Sequence, residues 1–238
     1  MKLFFRGLRK GSLILLLIPF VLVLRAIKPF ILIRFGYFYS DRIGHFAFDL
    51  EHYLCEVRQK NKIPRTVDYF FLFGNPCNSA LVTMAARKIK MVDGLRVFVQ
   101  ASKSIPFSDS HIIRPAREIN GSRDIKQLFQ STSRSLEFSS SEMAAGKEYL
   151  QEIGLGNGDQ FVCLLVRDGT YLSKMFDRDF SYHNYRDSDI KNYAKGAKSL
   201  AEKGYWVFRM GNIVEEAFDC DNHRIIDYAN SKFRSDLL

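Results

Sequence analysis

The first forty residues contain no acidic side chain, and the first carboxylate of the chain is Asp41. The formal net charge of the 238 residues is nevertheless +9. Seven cations lie within residues 1–34, namely Lys2, Arg6, Arg9, Lys10, Arg25, Lys28 and Arg34. The other 204 residues have 28 cations and 26 acids. A strongly basic chain would suggest a nucleic-acid partner, but confinement of the excess to one short segment argues against nucleic acid.

The chain also lacks an uninterrupted apolar run of the roughly 20 residues that a membrane-spanning helix needs. The apolar run at residues 13–24 has cations on both sides, a pattern typical of contact with lipid headgroups and acyl chains. We expect residues 1–29 to form an anchoring helix that dips into one leaflet and is kinked near Pro19, although hydropathy alone would classify it as a transmembrane helix. A signal peptide and a buried core helix are the alternatives.

Cysteine is scarce, with four residues, and no two of them have the spacing of a zinc site or a redox motif. Cys55, Cys77 and Cys163 lie within apolar runs, which favours reduced packing residues over a disulfide framework. Reduced thiols are typical of a reducing compartment. The expected location is therefore the inner (cytoplasmic) membrane, with the body of the protein facing the cytoplasm and residues 1–34 at the membrane surface.

Short apolar runs then alternate with segments of helical spacing. Strands are predicted over residues 30–36, 67–73 and 95–99, and helices over residues 44–56 and 79–88. This alternation predicts right-handed βαβ units and a parallel sheet. Residues 101–138 are rich in Ser, Arg, Asp and Gly without a strong period, and they predict a linker that leads into a helix over 141–153.

The clearest βαβ pattern follows. Residues 161–166 predict a central parallel strand, residues 189–203 have one apolar helical face, and residues 205–208 predict the next strand. Residues 224–228 look like a further strand, and residues 233–238 like the first turn of a helix. Arg167 and Arg209 would thus follow two consecutive parallel strands.

Arginines at this edge of a sheet have a chemical meaning. Ligands of open α/β sheets bind beyond the carboxyl ends of the strands, and guanidinium groups form forked hydrogen bonds with phosphates. Arg167 and Arg209 are therefore predicted to hold a diphosphate together. The alternative is that each pairs with a nearby acid, for example Asp168.

The predicted fold is α/β, with two Rossmann-like domains built on parallel sheets. Residues 1–29 are the anchoring helix, residues 30–138 the first domain with its linker, and residues 139–238 the second domain. The second domain has room for only part of a nucleotide-binding fold, so we expect it to be incomplete.

Several blocks of the sequence resemble one known family. They are Val166-Arg167-Asp168, residues 182–190 with the pattern His-Asn-Tyr-Arg-x-Ser-Asp-Ile, residues 204–211, and the shorter segments 33–36 and 42–45. Together they resemble a bacterial glycosyltransferase family associated with surface polysaccharides and distantly similar to the fucosyltransferase-like branch of the GT-B fold. The resemblance extends from about residue 25 to the end, and the family continues beyond residue 238, which suggests a C-terminally truncated chain.

The resemblance implies transfer of a sugar from a nucleotide-diphosphate-sugar donor to a glycan or glycolipid acceptor. It implies no metal and no cofactor, because the nucleotide sugar is a co-substrate. Its donor-binding residues would be Arg167, Asp168, Arg186, Arg209 and Gly211, and its loop-shaping residues His183, Asn184, Tyr185 and Asp189. On the acceptor side, His45 would be the general base, with Arg42 beside it; the alternative for His45 is a hydrogen-bonded loop histidine.

Two rival hypotheses come from the same sequence. The D-x-D triplets at residues 177–179, 187–189 and 219–221 match the pattern by which metal-dependent glycosyltransferases of another fold hold Mn²⁺ and a diphosphate, but so short a motif has a high false-positive rate. The second rival is a membrane-associated binding or scaffold protein that retains a decayed transferase fold without its activity.

Overall fold

A computed structural model describes residues 2–59 and 65–237, and for residues 2–13 it describes the backbone alone. The side chains of four cations predicted to contact lipid, Lys2, Arg6, Arg9 and Lys10, therefore lie outside the described residues. The chain divides into two compact units, Met1–Phe138 and Ser139–Leu238.

The first unit is built on a parallel sheet of four strands in the order β3-β2-β1-β4. Its elements are α1 (Lys2–Ala26), β1 (Leu32–Tyr39), α2 (Ile43–Gln59), β2 (Thr66–Phe73), α3 (Ser79–Lys88), β3 (Lys90–Met91), α4 (Leu95–Lys103), β4 (Ile112–Ile113), α5 (Ala116–Asn120) and α6 (Leu128–Ser131). The predicted helix over residues 79–88 is confirmed, and Asn78 caps it by accepting a hydrogen bond from the Leu81 amide.

An aromatic cluster between the sheet and α2 forms one core of this unit. Phe38 of β1 and Phe70 of β2 are both 1% exposed, and their rings stack with centroids 5.0 Å apart. Gly36 lies opposite Phe70 in the strand pairing, and a Cβ atom at Gly36 would collide with the Phe70 ring. The predicted strand ended at Gly36, but β1 continues to Tyr39. The glycine makes room for the Phe70 ring and does not mark a turn.

The strand predicted over residues 95–99 is wrong, because these residues form helix α4. Leu95, Phe98 and Val99 have the i, i+3, i+4 spacing of one helical face, and they pack against Phe35 and Phe71 of the sheet. The two strands that complete the sheet, β3 and β4, have only two residues each. β4 also lies inside the segment that was predicted to have no regular structure.

Helix α1 packs on α4 along one face only. Val21 is 2% exposed, while Leu15, Leu16 and Phe20 are 67%, 69% and 65% exposed. The Arg25 guanidinium donates to backbone carbonyls of residues 102, 105 and 106 near the end of α4. Within residues 2–59 and 65–237, no helix has the length and apolarity that crossing a membrane requires.

The second unit is built on three parallel strands in the order β5-β6-β7. Its elements are α7 (Ser140–Glu152), β5 (Phe161–Leu165), α8 (Thr170–Met175), α9 (Ala194–Glu202), β6 (Trp206–Met210) and β7 (Ile225–Ile226). A capping box formed by Ser139 and Glu142 starts α7, one residue earlier than the sequence predicts.

The predicted central position of the strand at residues 161–166 is also wrong. β5 is an edge strand, and its residues Phe161 and Leu165 are 49% and 78% exposed. β6 is the central strand, because β7 pairs with its other side. The predicted helix over 189–203 begins as a 3₁₀ turn at Ile190–Tyr193, and residues 233–237 form no helix.

The described residues therefore confirm the predicted α/β class with parallel sheets, of four strands in the first unit and three in the second. All four cysteines are free thiols, although Cys163 on the edge strand is exposed rather than packed.

One carboxylate is buried inside the first unit. Asp49 of α2 is 1% exposed, on the helix face that also buries Phe46 and Leu50. Its Oδ1 accepts a hydrogen bond of 2.9 Å from the Arg117 amide in the first turn of α5. Burial raises the pKa of Asp49 to about 6, against the opposing effects of the Arg117 amide and charge.

This raised pKa predicts that Asp49→Asn increases the free energy of unfolding, by an amount that depends on pH. Between the unfolded value near 4 and the folded value of about 6 the folded state binds more protons, so the free energy of unfolding falls as pH rises through that window. We expect Asp49→Asn to stabilise the chain by about 3 kcal/mol at pH 7.5 and by about half as much at pH 5. Urea denaturation at the two pH values measures both gains.

The exposed Asp93→Asn is the matched control and should change stability by less than about 0.5 kcal/mol at either pH. An Asp49→Asn gain that is the same at both pH values would show that the Asp49 carboxyl titrates normally.

Candidate functional site at the carboxyl edge of the second sheet

The carboxyl ends of β5 and β6 lie side by side, with Leu165 opposite Met210. The segments that follow the two strands and the segment that precedes the 3₁₀ turn at Ile190–Tyr193 surround two cavities at this edge. In parallel α/β sheets this is the edge at which ligands bind.

The first cavity, which we call the acidic cavity, has a volume of about 280 Å³. Five carboxylates and one arginine contribute to its wall, which consists of Val166, Asp168, Asp187, Ser188, Asp189, Ile190, Arg209, Glu215 and Glu216. Such a wall offers mainly hydrogen-bond acceptors, and it suits hydroxyl groups better than phosphates.

Arg209 is the most deeply buried charge at this edge. Its side chain is 1% exposed and lies within β6, not beyond the end of the strand as predicted. Nη1 donates to Asp227 Oδ1 at 3.1 Å, and the buried Nε has no hydrogen-bond partner among the described residues. Asp227 Oδ2 accepts from the Phe218 amide at 2.8 Å and from Asn230 at 2.7 Å, so this ion pair also fixes the chain after β6.

Most of the carboxylates of the acidic cavity already have partners. Asp168 accepts from the amides of Thr170 and Glu215, both at 3.0 Å, and so joins the segments after β5 and β6. Asp189 accepts from the Lys191 amide at 2.8 Å and starts the 3₁₀ turn. Glu216 pairs with the Lys191 ammonium at 2.5 Å. Carboxylates held in this way are preorganised acceptors.

The second cavity, the polar cavity, has a volume of about 400 Å³ and shares Asp187 and Glu215 with the first. Two guanidinium groups, three hydroxyl groups and one amide share its wall with three carboxylates, and the wall consists of Arg167, Gly169, Thr170, Leu172, Ser173, Arg178, Asp179, Phe180, Ser181, Asn184, Asp187 and Glu215. Two of the carboxylates have partners, since Asp187 pairs with Arg167 and Asp179 accepts from Ser181. The donors suit an anionic group with many acceptor oxygens.

The cations of the polar cavity differ in how firmly they are held. Arg167 Nη1 donates to Asp187 Oδ1 at 2.7 Å and to the His183 carbonyl at 3.0 Å, as the acid-pairing alternative predicted, although with Asp187 instead of Asp168. Arg178 is exposed and stacks over the Phe180 ring, with its Cζ 4.4 Å from the centroid. Its guanidinium therefore lies beside the ring and remains accessible to a ligand.

The structure does not bring Arg167 and Arg209 into one cavity. Arg167 lines the polar cavity and Arg209 the acidic cavity. This differs from the expectation that the two would hold a single diphosphate. Asp168 joins two loops. At Gly211, where the chain turns after β6, a Cβ atom would lie 2.7 Å from the Val214 side chain, which explains why a glycine occupies this position.

Three of the predicted loop-shaping residues, His183, Asn184 and Tyr185, lie on a 3₁₀ turn at Ser181–Arg186, and the fourth, Asp189, caps the next 3₁₀ turn. The His183 ring packs against Tyr182, with centroids 4.1 Å apart, and its carbonyl holds Arg167. Asn184 lines the polar cavity, while Tyr185 is 83% exposed and Arg186 is exposed beside it. Arg186 lines neither cavity.

The predicted acceptor-side residues Arg42 and His45 belong to the first unit. His45 lies in the first turn of α2, and its Nδ1 is 3.4 Å from Ser122 Oγ. Burial lowers the pKa of His45, and the charges of Arg117 and Arg42 lower it further. A lowered pKa favours the neutral imidazole, the form that accepts a proton as a general base.

The D-x-D triplets do not gather into a metal site. Over residues 2–59 and 65–237 no three histidine, cysteine or acidic side chains are arranged to hold an ion. In two of the triplets the acids have local partners, since Asp179 accepts from the amide and hydroxyl of Ser181 and Asp187 pairs with Arg167. The hydrogen bonds from Ser181 lower the pKa of Asp179.

In comparisons with protein-family models, curated proteins and solved structures, the chain has no match. The resemblance noted above therefore has the status of a hypothesis based on short sequence blocks.

Sequence reasoning missed Arg178, Glu215 and Asp227. An arginine two residues before an aromatic residue is a weak sequence signal for a binding site. The pairing of Asp227 with Arg209 could not be predicted, because the two residues are 18 positions apart in the sequence.

The buried ion pair predicts a large stability loss for Arg209→Met. Removal of the guanidinium leaves the Asp227 carboxylate without its cation, and breaking a buried pair in this way costs about 3–5 kcal/mol. Urea denaturation should show this loss, whereas the exposed Arg186→Met should change stability by less than about 0.5 kcal/mol. Equal effects of the two substitutions would contradict the assignment of Arg209 as a structural and buried charge.

Proposed function

We propose that the second unit binds a nucleotide-diphosphate sugar at the carboxyl edge of its sheet, as part of a glycosyltransferase of GT-B type with Rossmann-like units. The observation that carries the proposal is the pair of adjoining cavities, one rich in donors and one rich in acceptors. A nucleotide sugar has the complementary chemistry, because its diphosphate is an anionic acceptor and its ribose and sugar carry hydroxyl donors.

The diphosphate is proposed to bind in the polar cavity. Arg178 presents an exposed guanidinium there, and Arg167 lies in the same wall, with its Nη1 donating to Asp187 and to the His183 carbonyl. Thr170, Ser173 and Ser181 add hydroxyl groups. Arginine binds phosphate oxygens through two parallel hydrogen bonds, and this geometry is suited to a diphosphate leaving group without a metal ion.

The hydroxyl-bearing parts of the donor are proposed to bind in the acidic cavity. Asp168, Asp189 and Glu216 are held in place by their partners but retain acceptor lone pairs, and carboxylates accept two or more hydrogen bonds from a diol. Arg209 and the Ser188 hydroxyl provide side-chain donors in this wall. Hydroxyls next to carboxylates avoid the repulsion that a phosphate would meet there.

For the transfer step, the proposal assigns proton acceptance to His45 on the glycan or glycolipid acceptor side. A neutral imidazole can deprotonate the attacking hydroxyl while the sugar leaves its diphosphate. The lowered pKa of His45 supports this role, because it favours the unprotonated group. Arg42 would help to keep it so, since its charge is one of the causes of the shift.

Nucleotide binding gives the direct test. We expect the full chain to bind at least one of GDP, UDP and dTDP in calorimetry, and Arg178→Gln to weaken that binding about tenfold, because one charge-assisted phosphate contact is lost. Lys203→Gln is the matched control, since Lys203 is an exposed cation at the opposite edge of the same sheet and should leave the affinity unchanged.

Absence of binding to all three nucleotides would reject the donor site, as would equal affinities of wild type and Arg178→Gln. Binding without transfer or hydrolysis of the corresponding nucleotide sugars would instead support the binding-protein alternative over the enzyme.

We further propose that α1 lies on an anionic membrane surface and does not cross it. One face of the helix is occupied by α4, and the other exposes five large apolar side chains, Leu15, Leu16, Phe20, Leu22 and Val23. A helix with one protein-covered face and one apolar face suits insertion into a single leaflet. The excess of cations in residues 1–34 supports a preference for anionic lipid.

Vesicle flotation tests this membrane contact. The full chain should bind vesicles with phosphatidylglycerol more strongly than vesicles of phosphatidylcholine alone, and Leu16→Glu with Phe20→Glu should reduce the partition coefficient by tenfold or more. The same change at two exposed apolar residues of similar size, Phe138 and Met143, should have little effect. If both double variants lose binding equally, the contact does not depend on α1.

A further inference from the structure

The first unit contains a cavity of its own, which we call the first-unit cavity, with a volume of about 200 Å³. It lies beside the carboxyl ends of β1 and β4, since Phe38 and Ile113 contribute to its wall. Other apolar groups of the wall come from Ala116, Ile119 and Ile125. The position corresponds to the ligand-binding edge of parallel sheets, and the wall is mainly apolar.

Asp49 is the polar group at the inner end of this cavity. Its side chain lines the cavity, although the residue is only 1% exposed. Oδ1 is committed to the Arg117 amide, whereas the buried Oδ2 has no hydrogen-bond partner among the described residues. A carboxylate with an unpartnered oxygen is costly inside a protein, whereas the side-chain oxygen of an asparagine would accept from the Arg117 amide without a buried charge.

Much of the remaining polar surface of the wall is already paired. The pairs are Tyr53 with Asp68 at 2.6 Å, Lys126 with Glu56 at 3.1 Å, and Arg114 with Asp109 at 2.9 Å. His52 and Asn120 also line the cavity, and Asn120 Oδ1 accepts from the Arg123 amide at 3.3 Å. Asp49 Oδ2 is the buried side-chain oxygen of this wall that has no hydrogen-bond partner among the described residues. One buried acceptor in an apolar cavity selects for a single well-placed donor.

We infer that the first-unit cavity binds a compact apolar molecule, or the apolar end of a larger one, through a hydroxyl group that donates to Asp49 Oδ2. The neighbouring cations Arg114, Arg117 and Lys126 disfavour an ammonium donor in the same place. The raised pKa of Asp49 is consistent with a site that is apolar around its carboxyl group. This site does not depend on the nucleotide site proposed for the second unit.

Two isomeric probes test the inference, because benzyl alcohol and anisole have the same atoms but only the alcohol can donate a hydrogen bond. We expect the full chain at pH 7.5 to bind benzyl alcohol about tenfold more tightly than anisole, as measured by titration followed by NMR. Asp49→Asn keeps the oxygen that accepts from Arg117 and places an NH₂ donor toward the cavity, so the preference for the alcohol should disappear.

Two further variants keep the test decisive. Glu56→Gln changes a lining carboxylate that is already paired and should preserve the preference, whereas Ala116→Leu fills the cavity and should abolish binding of both probes with Asp49 intact. Equal affinity of wild type for the two probes, failure to bind either, or a preference that survives Asp49→Asn would overturn the inference. If Asp49→Asn does not fold, the preference of wild type for benzyl alcohol and its loss in Ala116→Leu test whether the alcohol binds in this cavity.

Discussion

Parallel strand pairing is the constraint from which the rest of this structure follows. In the first unit, β1 and β2 pair over eight residues, and Gly36 opposite Phe70 leaves room for the aromatic core on one face of the sheet. In both units the parallel direction places the segments that follow the strands at a single edge. All three cavities described above lie at such carboxyl edges, and the loops that shape them carry the chemically distinctive side chains.

Buried and half-buried charges hold those loops in place. Arg209 and Asp227 connect the central strand of the second sheet to the chain after it, and Asp168 joins the segments that follow β5 and β6. Asp49 plays the corresponding part in the first unit, where it supports the start of α5. Charged groups cost free energy to bury. Arg209, Asp168 and Asp49 also line a cavity, so the same side chains position the loops and contribute to a binding surface.

Sequence reasoning was reliable where the pattern was long and locally capped. The helix over residues 79–88 and the strand over residues 67–73 agree with α3 and β2 within one residue. It failed for residues 95–99, because a five-residue apolar run fits a strand and a helical face equally well. Two-residue strands have no recognisable pattern, and the edge position of β5 depends on pairing between β6 and β7. For the site, Arg167 and Arg209 could be located at the correct edge, but their separate partners, Asp187 and Asp227, could not.

The central claim is that the carboxyl edge of the second sheet is a binding surface for a nucleotide diphosphate. Amide NMR spectra of the full chain, titrated with GDP, UDP or dTDP, test it residue by residue. We expect the largest shifts in the segments 167–187 and 215–216, with little change around Asp49 and His45. Shifts centred elsewhere, or no saturable shifts with any of the three nucleotides, would contradict it.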